Sequence, residues 1–592
     1  MTVDPAEKEA LRRKYAEERA KRLRPDGNEQ YVRVTGELSG YLADPYTPVV
    51  PREPRTDHVT VAFIGAGFAG LATGARLKEV GVDVRLVEKG GDVGGTWYWN
   101  RYPGAMCDTA SMVYLPLLEE TGHMPSEKYA HGPEILEHCR RIARQYGLYD
   151  DALLSTEVTA LTWDEEQEHW LVRTDRGDAF TAQFLAMGTG PLHVPKLPGI
   201  PGIRDFRGHS FHTSRWDYEY SGAALEPLAD KRVAVIGTGA TAVQCVPPLA
   251  HACRELYVFQ RTPSSVDVRD NGPIDPAWFA EVATPGWQQR WLDSFTANQA
   301  GGAATEDLVM DGWTDIARRI RERILSLPPQ DLTPEKMLAA YEDADLEKMN
   351  EIRARVDAVV RDPQTAQDLK AWYRQLCKRP CFSDEYLQAF NVPGTHLVHT
   401  DGKGVERITA TGVVAKGRDY PVDCIVYASG FEVGTEYTRR AGYDPVGRGG
   451  LHLSEAWRDG MRTLHGMHVH GFPNLFVVQP TQGANLISNV PHNLVEAART
   501  IAVVVRRALD TGARTVEVTA EAQDAWVELL LSGPGRMIGS GDCTPGYYNN
   551  EGQDAGAAGA LFVGYPAGPS AYFSYLDQWR SSGTFDGLAF AP

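Results

Sequence analysis

Two glycine-rich segments have the spacing of a phosphate-binding turn. Gly65-Ala-Gly67-Phe-Ala-Gly70 and Gly237-Thr238-Gly239-Ala240-Thr241-Ala242 each follow an apolar run and precede a helical pattern. In a strand–turn–helix unit, the first glycine permits the turn, the second lets the backbone approach a pyrophosphate, and the third position allows close helix packing. The N-terminus of the helix directs its N–H groups at the phosphates. The two segments therefore predict two dinucleotide sites.

The residue that ends the second strand of each unit indicates which dinucleotide binds there. In the first unit this residue is Glu88, whose carboxylate can accept hydrogen bonds from ribose hydroxyls and would repel a 2′-phosphate. The second unit has Gln260 at this position, followed by Arg261 and Thr262. A guanidinium can donate two hydrogen bonds to phosphate oxygens. We therefore expect FAD at the first site and NADPH at the second.

Two further segments resemble the signatures of the Baeyer–Villiger monooxygenases, flavoenzymes that insert one oxygen atom of O2 beside a ketone carbonyl. The first segment follows Glu88 closely, and the second lies between the two glycine turns. The residues that match the first signature are Gly95, Thr96, Trp97, Tyr102 and Asp108. Those that match the second are Phe206, Gly208, His212 and Trp216.

The resemblance implies roles for these residues. The first signature would line the flavin ring, with Asp108 near the reacting centre, and Asn489 would lie in a segment that approaches the same ring. In the pair Lys378-Arg379, the lysine would hold the NADPH 2′-phosphate and the arginine would face the flavin. A permanent cation there would stabilise a flavin peroxide anion, and Asp108 would orient it. The second signature would link the domains, although plain packing at a hinge explains it nearly as well.

The elements that must position these residues predict an α/β protein with two Rossmann-like dinucleotide-binding domains. Apolar runs before each glycine turn are typical of buried parallel strands. We expect an N-terminal helical extension over 1–55 and an FAD domain formed by 56–200 together with 385–592. We expect an NADP domain over 201–384, with a helical insertion at about 274–374.

The composition excludes several functional classes. The net charge of −18 disfavours a nucleic-acid surface, and no apolar run is long enough to predict a membrane span. The N-terminus lacks the apolar core of a signal peptide, which favours a cytoplasmic protein. The eight cysteines have no regular spacing, so we expect reduced thiols that pack in the core. The spacing of Cys377 and Cys381 suits neither a metal site nor a redox disulfide. The sequence leaves the oligomeric state open.

Substrate and partners follow from the resemblance. We expect a small-molecule ketone and O2 as reactants, with no metal. The N-terminal extension resembles that of a subgroup with long N-termini. The stretches Tyr129–Cys139, Phe211–Asp217 and Leu376–Phe382 resemble family members that convert a polycyclic sesquiterpenoid ketone to a lactone in antibiotic biosynthesis. Macrocyclic or steroid ketones are an alternative within the family. Outside it, the alternatives are a flavin monooxygenase that oxygenates sulfur or nitrogen and a non-enzymatic NADP-binding protein.

Overall fold

A six-stranded sheet forms around the strand that precedes the first glycine turn. Four of its strands are parallel, and two antiparallel strands extend one edge. The helices Phe68–Glu79 and Val490–Thr511 pack against each other beside this sheet. In spatial order the strands are Val84–Val87, His58–Ile64, Ala179–Met187, His169–Thr174 and Val158–Asp164, with Leu475–Val477 pairing beside Ala179–Met187. The computed structural model describes residues 4–299, 306–328, 330, 332–479, 481–484, 489–533, 542–553, 559 and 561–592.

A second sheet contains five strands, and every pairing in it is parallel. Its central strands are buried on both faces, which explains why they have apolar sequences without alternation. The helix Ala240–Ala252 follows the second glycine turn. The strands are, in order, Thr395–His399, Glu255–Gln260, Arg232–Ile236, Cys424–Tyr427 and His209–His212. The two sheets, one mainly parallel and one wholly parallel, each contain a strand–glycine turn–helix unit and confirm the expected fold class.

The second unit extends further along the chain than the sequence indicated. Cys424–Tyr427 lies at the centre of the second sheet, and the chain returns to the first sheet only at Leu475–Val477. The domain boundary expected at residue 385 is therefore wrong. The short strands after the helical insertion have similar patterns, so the sequence could not assign them to one sheet or the other. A small antiparallel sheet intervenes, made of Arg407–Thr409, Gly412–Ala415 and Arg418–Pro421.

The N-terminal helix lies on the helical insertion. This helix, Pro5–Ala20, begins at the N-cap Asp4, whose side chain accepts from the N–H of Ala6. Lys8 pairs with Asp343 of the insertion at 2.8 Å. The helices of the insertion are Pro276–Val282, Trp287–Gln299, Gly312–Leu325, Pro334–Val359 and Pro363–Leu369. Among the described residues, each helix is too short or too polar to cross a bilayer.

Short elements complete the fold. Three pairs of strands form outside the larger sheets: Tyr31–Val32 with Leu197–Pro198, Val266–Asp267 with Cys381–Phe382, and Thr515–Val518 with Leu588–Ala591. The remaining helices include Thr96–Trp99, Ser111–Tyr114, Leu118–Thr121, Gly132–Gln145, Tyr218–Ser221, Tyr386–Ala389, Tyr437–Ala441, Leu453–Ala456, Ala520–Leu531 and Pro569–Ser582.

One disulfide corrects the expectation that all eight cysteines are reduced. Cys377 is bonded to Cys543, with their Cα atoms 5.1 Å apart. The two residues are 166 positions apart in the chain, so no local spacing could reveal the pair. Cys381 stays a buried free thiol, as expected. The disulfide joins the residue before Lys378 to the beginning of the C-terminal segment 543–553.

Candidate active site between the two dinucleotide units

The first glycine turn has a geometry that other residues could not adopt. Gly65 has φ of +105°, and a Cβ there would lie 2.7 Å from the carbonyl oxygen of Gly188. A Cβ on Gly70 would lie 2.1 Å from the carbonyl oxygen of Gly65. Gly67 is the N-cap of the helix Phe68–Glu79. The turn thus brings the N-terminus of this helix close to the end of the first strand, as a pyrophosphate site requires.

Glu88 lies directly after the second strand of this unit and is buried. Its two carboxylate oxygens accept hydrogen bonds from the N–H groups of Ala66 and Gly90, both at 2.7 Å. Burial raises the pKa of Glu88, and the two N–H donors oppose that rise. Each carboxylate oxygen has a second lone pair, which can accept a hydrogen bond from a ribose hydroxyl.

The second glycine turn leaves open space where a phosphate could approach. Gly237 has φ of +120°, and a Cβ there would lie 2.3 Å from the carbonyl oxygen of Ala428. By contrast, no heavy atom in the described part of the chain lies within 4 Å of a Cβ built on Gly239. Gly239 is also the N-cap of the helix that carries Ala240 and Thr241. Thr238 fixes the turn by donating its hydroxyl to the carbonyl oxygen of Thr262 at 2.7 Å.

A cluster of cations lies beside the end of the Glu255–Gln260 strand. Arg261 Nη2 is 3.5 Å from one carboxylate oxygen of Glu551, and Lys196 Nζ is 3.4 Å from the other. Burial lowers the pKa of Lys378 to about 8, and the charges of nearby arginines add to that effect. Three cations around one carboxylate leave a net positive charge, which suits a doubly charged phosphate. Sequence reasoning assigned no cofactor-binding role to Lys196 or Glu551, so it missed both.

The first signature segment contacts both units. Gly95, with φ of +54°, is the N-cap of the short helix that begins at Thr96. Trp97 donates its indole N–H to the hydroxyl of Tyr114 at 3.1 Å. Tyr102 donates to the side-chain oxygen of Gln244 at 2.8 Å, so its hydroxyl contacts the helix of the second unit.

Asp108 and Arg379 form a two-point ion pair. Arg379 Nη2 lies 2.6 Å from Asp108 Oδ1, and Nε lies 3.2 Å from Oδ2. The carboxylate holds the pKa of Arg379 well above its ordinary value. The Asp108 side chain is only 8% exposed, whereas that of Arg379 is 39% exposed. The guanidinium is therefore held by the buried carboxylate of Asp108, while part of it stays accessible to a reactant.

Two residues that sequence reasoning missed support this pair. Trp313 donates its indole N–H to the carbonyl oxygen of Asp108 at 2.9 Å, and the Arg379 guanidinium lies 5.6 Å from the centre of its ring. Arg269 is buried, donates to the carbonyl oxygen of Cys107, and reaches the carbonyl oxygen of Phe382 at 2.6 Å. It thus ties the segment next to Asp108 to the segment next to Arg379.

The second signature lies at a junction. His212 ends an edge strand of the second sheet, and burial lowers its pKa to about 3. Trp216 is buried and donates its indole N–H to Ser221 at 2.9 Å. A Cβ on Gly208 would lie 2.5 Å from the Phe206 ring. These contacts fit a packed connection between the units. Because its pKa is so low, His212 is unsuited to accept a proton in catalysis near neutral pH.

Asn489 precedes the helix Val490–Thr511 and donates its side-chain N–H to the carbonyl oxygen of Val113. Residues 485–488, which belong to the same flavin-facing segment of the sequence resemblance, lie outside the described residues. Val113 follows Asp108 closely in the chain, so Asn489 lies near the segment that carries the ion pair.

Several known proteins similar to this chain are named Baeyer–Villiger monooxygenases. The family model described as pyridine nucleotide-disulphide oxidoreductase matches residues 62–274. Neopentalenolactone D synthase of Streptomyces avermitilis is 51% identical over 583 residues, covering 97% of this chain and 98% of that protein. A Baeyer–Villiger monooxygenase of Streptomyces coelicolor is 48% identical over 589 residues, covering 98% of this chain and 96% of that protein.

Solved structures agree with these relatives. A polycyclic ketone monooxygenase from the fungus Thermothelomyces thermophila superposes with a TM-score of 0.91 at 37% identity, covering 99% of both chains. The protein named OTEMO, solved in complex with FAD and NADP, has a TM-score of 0.72 at 26% identity and covers 90% of this chain and 99% of its own. The chain belongs to the Baeyer–Villiger monooxygenase family.

Proposed function

We propose that this protein uses FAD, NADPH and O2 to convert a polycyclic sesquiterpenoid ketone to a lactone. One oxygen atom is inserted between the carbonyl carbon and a neighbouring carbon, and the other leaves as water. NADPH supplies a hydride, which carries two electrons, and the solvent supplies one proton. Ketone, O2, NADPH and H⁺ therefore give lactone, NADP⁺ and water. The observation that carries this proposal is the Asp108–Arg379 ion pair, located between two dinucleotide turns.

The residues present fit both cofactors. The glycine turn at Gly65 and the buried Glu88 carboxylate suit the pyrophosphate and ribose of FAD. The open face of Gly239 suits the NADPH pyrophosphate, while Arg261, Thr262 and Lys378 suit its 2′-phosphate. When bound, FAD supplies the chemistry that activates O2, using electrons from NADPH.

Arg379 provides a fixed positive charge at the reacting centre. Oxygen insertion passes through negatively charged oxygen species, and a guanidinium stays charged at every physiological pH. A preorganised cation stabilises such charge without reorganisation during the reaction. Asp108 prevents the side chain from turning away, and Trp313 fixes the backbone of Asp108.

The substrate class is supported by two relatives. The name of the Streptomyces avermitilis protein refers to neopentalenolactone D, and the fungal structure is that of a polycyclic ketone monooxygenase. The ketone to test first is 1-deoxy-11-oxopentalenate, the substrate expected from the sequence resemblance. We propose a cytoplasmic location, where NADPH is available.

The experiment is an incubation of the purified flavoprotein with NADPH and O2 and a panel of ketones. The panel contains the sesquiterpenoid ketone, a macrocyclic ketone, a steroid ketone and an organic sulfide, with products identified by mass spectrometry. We expect fastest lactone formation from the sesquiterpenoid ketone. Sulfoxide without any lactone would replace the proposal with a sulfur-oxygenating enzyme, and the absence of bound flavin would exclude a flavin monooxygenase.

A further inference from the structure

The N-terminal segment reaches the residues proposed to hold the NADPH 2′-phosphate. After the helix Pro5–Ala20, the chain passes through a turn at Gly27–Gln30 into the strand Tyr31–Val32. This strand pairs with Leu197–Pro198, directly after Lys196 of the cation cluster. The segment is thus fixed at both ends, on the helical insertion and beside the cluster.

Arg22 of this segment fixes the backbone and the hydroxyl at the phosphate position. Its Nε donates to Thr262 Oγ1 at 3.1 Å and to the carbonyl oxygen of Arg261 at 3.2 Å. Its Nη1 is 2.6 Å from the carboxylate of Glu18, one helical turn earlier. The Arg22 side chain is only 3% exposed. A buried guanidinium with these partners has one defined position, and it determines where Thr262 lies.

Two more residues of the segment act on the side chain of Arg261. Gln30 accepts a hydrogen bond from Arg261 Nη1 through its side-chain oxygen. Tyr31 donates its hydroxyl to Glu551 at 3.0 Å, and Glu551 in turn faces Arg261 Nη2. The guanidinium of Arg261 is therefore held on one side by the N-terminal segment and on the other by a carboxylate that this segment positions.

We propose that the N-terminal segment forms one wall of the 2′-phosphate site, with Arg22 as the positioning residue for Arg261 and Thr262. Discrimination between NADPH and NADH then depends on Arg22, which lies 240 positions before Thr262 in the chain. This inference rests on the proposed function, because it takes Arg261 and Thr262 as the groups that hold the 2′-phosphate.

The test measures binding of 2′,5′-ADP and of 5′-AMP to the purified flavoprotein by calorimetry. The two ligands differ only in the 2′-phosphate. Arg22→Met removes the hydrogen bonds and keeps a long side chain. We expect it to weaken 2′,5′-ADP binding roughly tenfold, about the value of one charge-assisted hydrogen bond, and to leave 5′-AMP binding within about twofold of the wild-type value. Arg22→Lys should recover part of the loss. Arg12→Met is the control, because Arg12 lies on the preceding helix Pro5–Ala20 and pairs with Glu342 instead.

Equal effects of Arg22→Met on both ligands, or no effect on either, would overturn the inference. Arg261→Ala separates this outcome from a failure of the proposed site. If Arg261→Ala removes the preference for 2′,5′-ADP and Arg22→Met does not, only the inference about the N-terminal segment fails. If neither changes the preference, the phosphate site itself is wrong. Should Arg22→Met not fold, Gln30→Ala gives the same test, since it removes the acceptor of Arg261 from the same segment.

Discussion

The guanidinium of Arg379 donates two hydrogen bonds to the carboxylate of Asp108, at 2.6 Å and 3.2 Å, across 271 positions of the chain. The pair joins the first dinucleotide unit to the segment that follows the helical insertion. This segment is also held against the second unit. Its strand Cys381–Phe382 pairs with Val266–Asp267, and the buried Arg269 donates to the carbonyl oxygen of Phe382. The proposed reacting centre is thus assembled from both units, and neither unit holds it alone.

Asp108→Asn tests the orientation of Arg379. The amide keeps the size of the side chain but loses the charge and one acceptor, so the guanidinium is held less well. Loss of about 1.5–3 kcal/mol of charge-assisted interaction corresponds to a roughly 10- to 100-fold slower lactone formation. NADPH oxidation should continue, so less lactone forms for each NADPH consumed. An unchanged ratio of lactone to NADPH would contradict the orienting role.

Trp313→Phe tests the support behind the ion pair. Phenylalanine keeps an aromatic ring beside Arg379 and removes the indole N–H that donates to the carbonyl oxygen of Asp108. We expect lactone formation to slow about threefold to tenfold, in line with one lost hydrogen bond. Trp278→Phe is the control, because Trp278 lies on another helix of the insertion and is partly exposed. A similar loss in both variants would indicate a general effect of removing an indole.

The pH dependence of phosphate binding tests Lys378. With a pKa of about 8 in the free protein, Lys378 is protonated below pH 8 and loses its proton above it. A bound phosphate dianion favours the charged form and raises this pKa, so binding above pH 8 must take up a proton. The dissociation constant of 2′,5′-ADP should be flat from about pH 7 to 8 and then rise toward tenfold per pH unit. Calorimetry in buffers of different ionisation enthalpy measures the proton uptake.

Lys378→Met provides the comparison for that experiment. This variant should bind 2′,5′-ADP weakly, and its dissociation constant should not begin to rise near pH 8. The dissociation constant of 5′-AMP should show no such rise with either protein. If the wild-type protein binds 2′,5′-ADP equally well from pH 7 to 9.5, Lys378 does not contact the phosphate.

The disulfide between Cys377 and Cys543 predicts an effect on stability. Cys543→Ser opens the covalent loop that this bond closes. The unfolded chain gains conformational freedom, and the free energy of unfolding should fall by about 2–4 kcal/mol. Denaturant unfolding of the wild type and the variant measures the difference, and Cys253→Ser serves as control because Cys253 is a free thiol. Equal stability of all three proteins would contradict a structural disulfide.

Local patterns predicted much of the fold and supplied part of the proposed site. The glycine turns, Glu88, and the pair Arg261 and Thr262 follow from a strand–turn–helix pattern, in which function depends on residues close in the chain. The resemblance to the family predicted Asp108 and Arg379, and the structure brings these two together.

Contacts between distant residues could not be predicted in this way. Trp313 lies 205 positions from Asp108, and Cys377 lies 166 positions from Cys543. Sequence reasoning assigned no role to Arg22 or Glu551, because their contacts arise only when the N-terminal and C-terminal segments meet at the second unit. The error at residue 385 has the same origin, since the sheet to which a short strand belongs is decided by packing across the molecule.

The most direct measurement of the central claim compares the wild-type protein with Arg379→Ala under O2 labelled with a heavy oxygen isotope. Flavin reduction by NADPH, NADPH consumption and lactone formation are followed together, with the sesquiterpenoid ketone as substrate. We predict that the wild type places a single labelled oxygen atom in the lactone ring. Arg379→Ala should still reduce the flavin and consume NADPH but form no lactone. Labelled lactone from Arg379→Ala at the wild-type yield would contradict the role assigned to this arginine.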